Sequence, residues 1–549
     1  MRKYPLYKRN YYTRFRDFID GLASGREDKP GISWFTRKGE QKDVTLGQWR
    51  QDIVCLQEQL IRQGLAGKHI AILGENSYEW LVAYCAITYC GAVAVCVDVE
   101  QSVETIGQML GMADVEAIFC AASCKDICME LAGNEKTVIC FADDETLPSV
   151  RSWIAEGEKI IAAGEADAKI DDTITGSNLA SIVFTSGTTN YSKPVMLSQE
   201  AILINASDAV SNVAIGQRVF TSLPFYHTYG LTCAVFAMLI ADGHLFINGN
   251  LKTVMRDIQL SKANTLLTVP LMLETIHNKM WASAEESGKA NALRKLLKVR
   301  KFLLRLGIKK NFKALDRVRE KCFGTLDMVI CGGAHMNSTI IEQFYGLGLL
   351  VLQGYGITEC APLISVNRNK AFKFESVGLV SQHSQVKLVD GEIWVRGKNV
   401  MLGYYKHPEL TEEAMDGEWF KTGDIGEIDK DGFLYITGRK KNLIVFKNGK
   451  KASPEKLEER IKRIPLVQDV VVYGAASGIS SDDVQVAASV YPDPQAASGM
   501  DSYEILEALQ AEISLINKEL PTYQHIQMVD IREKEFSKTA LQKIKRHLI

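Results

Sequence analysis

The chain has 549 residues, of which 46% are hydrophobic and 24% are charged, as in ordinary globular proteins. At ~150 residues per domain, this length predicts roughly three to four domain-sized units, or one large domain with a small one. The 64 lysines and arginines nearly balance the 66 aspartates and glutamates, giving a net charge of -2. That balance excludes a histone-like polyanion binder and a chain kept disordered by charge, so we expect no nucleic-acid partner.

The first part of the chain indicates a cytoplasmic protein. The N-terminal run is basic and aromatic without an apolar centre, so it does not resemble a secretory signal. Residues 80–97 are uncharged but contain Tyr84, Tyr89 and Gly91, which favours a buried helix followed by a buried strand over a membrane span. Many of the twelve cysteines lie in apolar runs, which is typical of a reducing compartment.

Cys120, Cys124 and Cys128 lie four residues apart. This spacing predicts one helix face. A metal site there is the alternative, but we expect buried or half-buried thiols.

Short apolar runs alternate with amphipathic stretches from about residue 45 to residue 350, a pattern typical of buried parallel strands followed by helices. From about residue 384, Asp-Gly and Asn-Gly turns between alternating strands indicate antiparallel hairpins. Ser453 as N-cap and Pro454 at the first helical position mark a helix start, and a later amphipathic helix carries Ile505, Leu509 and Ile513 on one stripe. We therefore predict an α/β fold: a large N-terminal body of layered, mostly parallel sheets with helices and a small antiparallel subdomain, followed by a small α+β C-terminal domain. The predicted domains are 1–438 and 442–549, with a border at 439–441.

The strongest single motif follows the apolar strand of residues 181–184, and it consists of Thr185, Ser186, Gly187, Thr188 and Thr189. Small hydroxyl residues around a glycine expose backbone N–H groups and hydroxyls to an anion, and Lys193 adds a point charge. The loop is not a Walker A sequence, because Ser192 and Pro194 flank that lysine. Taken alone, an ordinary strand-to-helix turn explains the motif equally well.

Further motifs follow in a characteristic order: Gly354–Glu359, Lys421–Asp424, Gly438–Lys441 and a lysine-rich ending from Phe536 to Arg546. Together with the 185–189 loop, this set resembles the AMP-forming acyl-adenylating superfamily, which contains acyl-CoA synthetases, peptide-synthetase adenylation domains and beetle luciferases. The resemblance covers nearly the whole chain. The likeness is greatest to bacterial long-chain fatty-acid–CoA ligases, through the stretch at 349–367, the stretch at 438–458 and the ending KTALQKIKRH.

The resemblance implies how ATP binds. The 185–189 loop and Lys193 would hold the β- and γ-phosphates. Asp424 would accept the ribose hydroxyls with help from Arg439, and Glu359 would hold Mg²⁺, a hard cation that prefers carboxylate oxygen. The residues that would surround the adenine, including the stacking tyrosine, are Gly332, Gly333, Ala334, Tyr355 and Gly356.

The resemblance also implies the catalytic residues. Thr358 would contact the α-phosphate, His227 would line or gate the carboxylate site, and Lys543 would reach the carboxylate and the α-phosphate from the mobile domain. After adenylation, the mobile C-terminal domain would rotate about a hinge at 439–441, which contains Lys441. The hairpin with Gly449, Lys450 and Lys451 would then face the incoming thiol.

Three functional hypotheses result. The first is an acid–CoA ligase that converts a medium- or long-chain fatty acid to acyl-AMP and then to an acyl-CoA. The second is a ligase that loads the acyl group onto an acyl carrier protein. The third is a non-catalytic acyl- or adenylate-binding protein, because Asn190-Tyr191-Ser192 and Gln542 replace the family's usual glycine-rich pattern.

Residues 289–313 hold ten lysines and arginines and no acid. The segment also places Leu296, Leu297, Leu303 and Leu304 on one helical side. One interpretation is a surface helix that packs these leucines on the body. The other is a docking patch for an anionic membrane, an acidic carrier protein or CoA, which would place the enzyme peripherally on the inner membrane face.

Overall fold

The computed structural model describes residues 4–166, 173–185, 192–308, 312–446, 450–477, 480–538, 544 and 546–548. Contacts divide the chain into two units. The first comprises Met1–Gln385, Val395–Phe420 and Asp431–Phe433, and the second comprises Val386–Trp394, Lys421–Lys430 and Leu434–Ile549. The predicted hinge at 439–441 remains a prediction, since this division assigns two earlier segments to the C-terminal unit.

The strands of the described residues, in chain order, are β1 (Pro30–Phe35), β2 (Gln41–Thr45), β3 (His69–Leu73), β4 (Val93–Cys96), β5 (Ala117–Cys120), β6 (Thr137–Cys140), β7 (Leu179–Phe184), β8 (Pro194–Ser198), β9 (Arg218–Thr221), β10 (His244–Ile247), β11 (Thr265–Thr268), β12 (Met328–Cys331), β13 (Leu350–Gly356), β14 (Leu363–Val366), β15 (Gly378–Val380), β16 (Ser384–Val389), β17 (Glu392–Gly397), β18 (Gly403–Tyr404), β19 (Met415–Asp416), β20 (Trp419–Ile428), β21 (Phe433–Arg439), β22 (Ile444–Val445), β23 (Lys451–Ala452), β24 (Val467–Ser477), β25 (Ser480–Pro492) and β26 (Ile526–Ile531).

The α-helices of the same residues are α1 (Phe15–Ala23), α2 (Leu46–Arg62), α3 (Tyr78–Tyr89), α4 (Val103–Met112), α5 (Lys125–Ala132), α6 (Val150–Ala162), α7 (Gln199–Asn212), α8 (Ala237–Ile240), α9 (Val254–Ser261), α10 (Pro270–Glu286), α11 (Ala290–Arg305), α12 (Lys313–Phe323), α13 (Ser338–Leu347), α14 (Pro408–Ala414), α15 (Pro454–Ile461) and α16 (Ser502–Lys518).

Two mainly parallel sheets form the first unit. One has the order β18-β8-β7-β4-β3-β5-β6, in which β8 and β18 are antiparallel to their neighbours. The other contains β13-β12-β11-β9-β10-β1 in parallel, with β2 antiparallel at one end and β14 and β15 antiparallel beyond β13. Their parallel strands are mostly buried, as the continuous apolar runs predicted, whereas the edge strand β2 is largely exposed.

Several helices begin at a residue whose side chain accepts a backbone N–H of the first turn. Thr45, Ser77, Ser102 and Ser198 cap α2, α3, α4 and α7 in this way. Such caps fix where each helix begins after its strand, and therefore how the strand-to-helix loops lie at the sheet edge.

In the second unit, the Asp424 part of β20 pairs antiparallel with β21, β22 pairs antiparallel with β23, and β24-β25-β26 form a three-stranded sheet. α15 and α16 pack on that sheet through a core that includes Leu457, Ile461, Leu509 and Ile513. The antiparallel hairpins and both predicted helices are therefore present, and the α/β class with a smaller C-terminal unit is confirmed.

Two local predictions are corrected. Cys120 lies in β5, Cys124 in a 3₁₀ turn and Cys128 in α5, so the three thiols do not share one helix face. Cys120 and Cys128 are buried and Cys124 is partly buried, as expected, and no group of metal-ligating side chains occurs anywhere in the described residues. Ser453 precedes α15, but its hydroxyl donates to the carbonyl of Thr437 at 2.6 Å and does not cap the helix.

None of the described helices combines the length and the apolar character needed to cross a lipid bilayer. The uncharged run at 80–97 is α3 followed by β4, both buried, as the sequence indicated.

Candidate functional site

Three predicted site segments lie at or just after the carboxyl ends of strands in one parallel sheet. The His227 loop comes after β9, Gly332 directly follows β12, and Tyr355 lies near the end of β13. The order β13-β12-β11-β9 places the carboxyl ends of these strands at one sheet edge, where ligands of open α/β sheets bind.

The predicted adenine loop has little room for side chains. A Cβ on Gly332 would lie 3.3 Å from the ring of Tyr229 and 3.5 Å from the carbonyl oxygen of Gly354, and Gly333 has a φ of +86°. Ala334 is exposed. A side chain at Gly332 would therefore crowd Tyr229, and the positive φ of Gly333 favours glycine.

The ring of Tyr229 packs against this loop at Gly332, although no sequence motif singled it out. Its hydroxyl lies 3.1 Å from the carbonyl oxygen of Ile330 and 3.3 Å from that of Thr268, at the ends of β12 and β11. Tyr229 begins a π-helix, Tyr229–Phe236, and such helices often occur at functional sites. The only sequence signal was its place two residues after His227.

His227 lines a small cavity of about 10 Å³ together with Tyr226, Ser181 and Cys96. That volume is about enough for one water molecule. Asn76 fixes the loop from the opposite side, since its side chain accepts the N–H of Phe225 and donates to the carbonyl of Leu223. The loop that carries His227 is thus held at the sheet edge by hydrogen bonds between the Asn76 side chain and the loop backbone.

The Thr358–Glu359 turn is held by buried amides. Asn205 is fully buried in α7 and donates to the carbonyl oxygens of Cys360 and Leu363, while Asn399 also donates to that of Cys360. A Cβ on Gly356 would lie 2.2 Å from the carbonyl oxygen of Pro362. The turn that presents Glu359 therefore depends on Asn205, Asn399 and Gly356, of which the sequence predicted only the glycine.

Thr185 and Lys193 close the base of the predicted phosphate loop. The N–H of Thr185 donates to the carbonyl of Lys193 at 3.1 Å, and Phe184 pairs with Pro194 across β7 and β8. The loop residues Ser186, Gly187, Thr188 and Thr189, and also Asn190 and Tyr191, lie outside the described residues.

Glu359 accepts a hydrogen bond from the hydroxyl of Tyr404 at Oε1, over 2.9 Å. Burial, followed by the charge and hydrogen bond of Glu359, raises the pKa of Tyr404 well above its usual range, so this hydroxyl stays a donor. No ion pair joins Glu359 to a lysine or arginine within the described part of the chain. A partly exposed carboxylate that pairs with no lysine or arginine of the described residues fits Mg²⁺, which usually binds one or two carboxylates together with substrate phosphates.

The predicted ribose residues lie in the second unit. Asp424 and Arg439 face each other across β20 and β21, and Arg439 Nε lies 2.7 Å from Asp424 Oδ1. The side chain of Asp424 is 5% exposed. The preceding residue, Gly423, has a φ of +69°, a conformation that favours glycine.

Glu392 is a buried residue that the sequence did not single out. Its carboxylate accepts from the N–H of Gly423 at 3.1 Å and from Lys440 Nζ at 2.8 Å. Burial opposes ionisation, but the hydrogen bond and charge of Lys440 and the Gly423 N–H together hold the pKa of Glu392 below its usual value. Glu392 therefore joins the strand of Asp424 to the segment of Arg439.

The remaining predicted site residues lie in the second unit or outside the described residues. Lys441 is exposed in a 3₁₀ turn, Lys450 Nζ lies 4.7 Å from the centre of the Tyr523 ring, and Lys451 is exposed in β23. Gly449 and Lys543 lie outside the described residues, as does Gln542. The predicted roles of all these residues remain predictions.

The structure does bring several first-unit predictions together. Gly332 lies beside Gly354 of β13, β13 continues into the Thr358–Glu359 turn, and Glu359 contacts Tyr404. The ring of Tyr404 in turn lies 4.9 Å from Lys193 Nζ. A continuous path therefore joins the predicted adenine loop to the predicted phosphate-binding lysine, with a single carboxylate between them.

Comparison with known proteins gives the class. A profile described as AMP-binding enzyme matches residues 22–405, and one described as AMP-binding enzyme C-terminal domain matches residues 441–549. The chain therefore belongs to the AMP-binding enzyme family, as the order of its motifs predicted.

Individual relatives are more specific. The long-chain-fatty-acid–CoA ligase FadD15 of Mycobacterium bovis is 27% identical over 486 residues, which cover 84% of this chain and 79% of that protein. The long-chain-fatty-acid–CoA ligase of Escherichia coli O157:H7 is 32% identical over 331 residues, which cover 56% of this chain and 52% of that protein. These names agree with the predicted enzyme class, an AMP-forming acid–thiol ligase.

Solved structures share the fold. The anthranilate CoA ligase AuaEII in complex with anthranoyl-AMP has a TM-score of 0.77 at 18% identity, covering 98% of this chain and 96% of that one. ATP-bound MatB from Rhodopseudomonas palustris has a TM-score of 0.74 at 22% identity, covering 97% and 98%.

Proposed function

We propose that this enzyme activates a medium- or long-chain fatty acid with ATP and transfers the acyl group to CoA. The observation that carries the proposal is the continuous path from Gly332 to Glu359, Tyr404 and Lys193. This path provides a glycine loop, a carboxylate and a lysine for binding a nucleoside triphosphate. The names of the sequence relatives support a fatty acid as the substrate.

In the first half-reaction, a substrate carboxylate oxygen attacks the α-phosphorus of ATP, and pyrophosphate leaves to give acyl-AMP. Both reactants are anions, so alignment and charge neutralisation dominate and no enzyme nucleophile is needed. Mg²⁺, when bound, would neutralise phosphate charge. Lys193 would hold the distal phosphates, Thr358 the α-phosphate, and Lys543 the reacting carboxylate.

In the second half-reaction, the CoA thiol attacks the acyl carbon, and AMP leaves as the thioester forms. We propose that the C-terminal domain rotates about Lys441 between the two steps. The hairpin of Lys450 and Lys451, with Gly449, would then face the thiol donor.

The direct test is a panel of saturated acids from C4 to C18 with benzoate as an aromatic control. Pyrophosphate release is measured without CoA and AMP release is measured with it. We expect the highest kcat/KM among the medium or long chains. Absence of both products across the panel would contradict the proposal, and a preference for benzoate would overturn the fatty-acid assignment.

Two alternatives remain distinguishable. If an acyl carrier protein is the acceptor, holo-carrier protein will release AMP from the acyl-AMP enzyme and CoA will not. If the chain only binds acyl groups or adenylates, Lys543→Ala will change nothing measurable. For an enzyme, we expect that variant to lose adenylation but to keep thioester formation from supplied acyl-AMP.

We also propose that α11 contacts an anionic lipid surface, which would place the enzyme peripherally on the cytoplasmic membrane face. On its inner side, Leu293 and Leu297 are each 6% exposed, and Arg300 pairs with Asp316 at 3.1 Å. Lys301 pairs with Glu342. The basic segment therefore packs partly on the body, as the simpler interpretation expected.

The outer side of α11 supports the lipid contact. Val299, Phe302 and Leu306 follow helical spacing and are 49%, 62% and 59% exposed, while Lys295 and Lys298 are exposed nearby. Apolar residues beside lysines on one helix are typical of interfacial binding to anionic lipid.

Vesicle sedimentation tests this contact with the whole enzyme. We expect more binding to phosphatidylglycerol-containing vesicles than to pure phosphatidylcholine, a decrease with salt, and weaker binding for Phe302→Ser. Leu251→Ser is the matched control, because Leu251 is 74% exposed elsewhere on the first unit. Absence of binding at low salt, or equal loss in both variants, would contradict the lipid proposal.

A further inference from the structure

Residues 402–405 fix the far end of the predicted phosphate loop. In β18, Gly403 pairs with Met196 and Tyr404 with Val195 of β8. The N–H of Tyr405 also donates to the carbonyl of Pro194 at 2.9 Å. Because β8 begins directly after Lys193, the short strand β18 sets the position from which that lysine extends.

Residues 401–404 also hold Glu359, the candidate Mg²⁺ ligand, at its backbone and at its side chain. The N–H of Met401 donates to the backbone carbonyl of Glu359 at 2.8 Å, and the hydroxyl of Tyr404 donates to Glu359 Oε1 at 2.9 Å. Tyr404 is only 4% exposed, so its ring has little freedom to move away. Both the backbone and the side chain of Glu359 are therefore positioned by β18 and the residues directly before it.

The ring of Tyr404 also faces a cation. Lys193 Nζ lies 4.9 Å from the ring centre, within the range of a cation–π contact. One tyrosine thus directs a carboxylate with its hydroxyl and an ammonium group with its ring.

We propose that Tyr404 is a positioning residue for the Mg²⁺–triphosphate end of the nucleotide. Its hydroxyl would orient Glu359 toward the cation, and its ring would direct Lys193 toward the distal phosphates. This inference rests on the proposed function, because it assumes that ATP binds along this path.

Calorimetric titration of ATP into the whole enzyme, without an acid substrate, tests the proposal. Titrations in Mg²⁺ and in EDTA separate the carboxylate contribution from the lysine contribution. Tyr404→Phe removes only the hydroxyl, and Tyr404→Leu removes the ring as well. The matched control is Tyr405→Phe, because the hydroxyl of Tyr405 donates to another carboxylate, Asp114 Oδ2, at 2.7 Å on an exposed surface.

For Tyr404→Phe, we expect ATP affinity to fall about tenfold in Mg²⁺, the size of a lost hydrogen bond to a charged group, and to stay within about twofold in EDTA. For Tyr404→Leu, we expect a further loss of about threefold in both conditions, because the cation–π contact also disappears. Tyr405→Phe should match wild type in both. A general loss of structure would weaken both conditions equally and lower the thermal midpoint.

The outcomes separate this inference from the proposed function. Wild-type enzyme that binds no ATP overturns both. Wild-type enzyme that binds ATP equally in Mg²⁺ and EDTA, or a Tyr404→Phe variant that behaves like Tyr405→Phe, overturns only the role of Tyr404. An equal loss for Tyr404→Phe in Mg²⁺ and EDTA also overturns it, since the hydroxyl would then act through general structure.

Discussion

The carboxylate of Glu392 makes two interactions that protonation would weaken. It accepts the N–H of Gly423, next to Asp424, and it pairs with Lys440, next to Arg439. The side chain is 6% exposed, so water cannot replace either partner. Protonation would remove one acceptor and the attraction to Lys440 at the same time.

The Glu392→Gln variant tests this dependence on charge. The pKa of Glu392 is lowered in the folded enzyme, so its stabilising contribution is present above the unfolded value of about 4.3 and is lost as pH falls through the folded value. We expect the variant to lose about 1 kcal/mol at pH 7 and to show a smaller further loss at pH 3.5 than wild type, measured by urea unfolding.

The control for that prediction is Glu427→Gln. Glu427 pairs with Lys456 at 3.4 Å, but its side chain is 70% exposed, so it should contribute less than about 0.5 kcal/mol at either pH. Equal effects of the two substitutions would contradict the special role of Glu392.

At this scale, the sequence could predict residues inside ordered motifs but not their supports. Glu359, Lys193, Asp424 and Arg439 belong to recognisable stretches. Asn205 lies in the buried helix α7 and holds a turn more than 150 residues later. No local pattern reveals such a partner, because its function depends on where the fold brings it.

Among the elements, α2 and α6 pack at unusually close range. A Cβ on Gly157 of α6 would lie 1.7 Å from the carbonyl oxygen of Cys55 in α2. Only a glycine allows the two backbones to touch there, as with small residues at any close helix crossing.

We expect Gly157→Ala to destabilise the enzyme by about 2–3 kcal/mol, because the helices must separate to admit the methyl group. Gly111→Ala in α4 is the matched control. Nothing lies within 4 Å of its added Cβ, so the better helix propensity of alanine should stabilise by about 0.5–1 kcal/mol. Thermal unfolding midpoints that fall in both variants would contradict the crossing.

Periodicity predicted most elements because strands and helices here follow their local patterns. It predicted the buried strands of both parallel sheets and the hairpin around Asp390 and Gly391, whose φ values of +50° and +82° suit a type I′ turn. It missed the π-helix at Tyr229–Phe236 and placed Cys120 on a helix. Spacing of three or four residues cannot reveal a break between a strand, a turn and a helix.

At the scale of the whole molecule, each of the two units contains segments that are separated in the sequence. The boundary near residue 440 remains a prediction, and contacts also group Val386–Trp394 and Lys421–Lys430 with the C-terminal residues. Strand pairing such as that of β20 with β21 creates this grouping. Composition changes along a chain cannot predict which distant strands pair.

Burial of the cysteines makes a prediction for the intact enzyme. Ten of the twelve are buried, and Cys124 and Cys322 are partly buried. Burial raises the pKa of Cys90 to about 12, and burial with nearby carboxylates raises that of Cys55 to about 11. At pH 8, we expect at most two thiols to react rapidly with a thiol-specific disulfide reagent in native enzyme and all twelve to react in denaturant. Fast native labelling of more than two would contradict the described core.

The pairing of β8 with β18 has a consequence for biosynthesis. Val195 and Tyr404 are joined across more than two hundred residues of intervening chain. At about 5–20 residues per second, a ribosome would need on the order of ten seconds or more to deliver the second partner after the first. During that interval, the nascent enzyme would carry β7 and its following loop without the strand that secures Lys193. If Lys193 binds the distal phosphates as proposed, the ability to hold a nucleoside triphosphate would therefore arise late in translation.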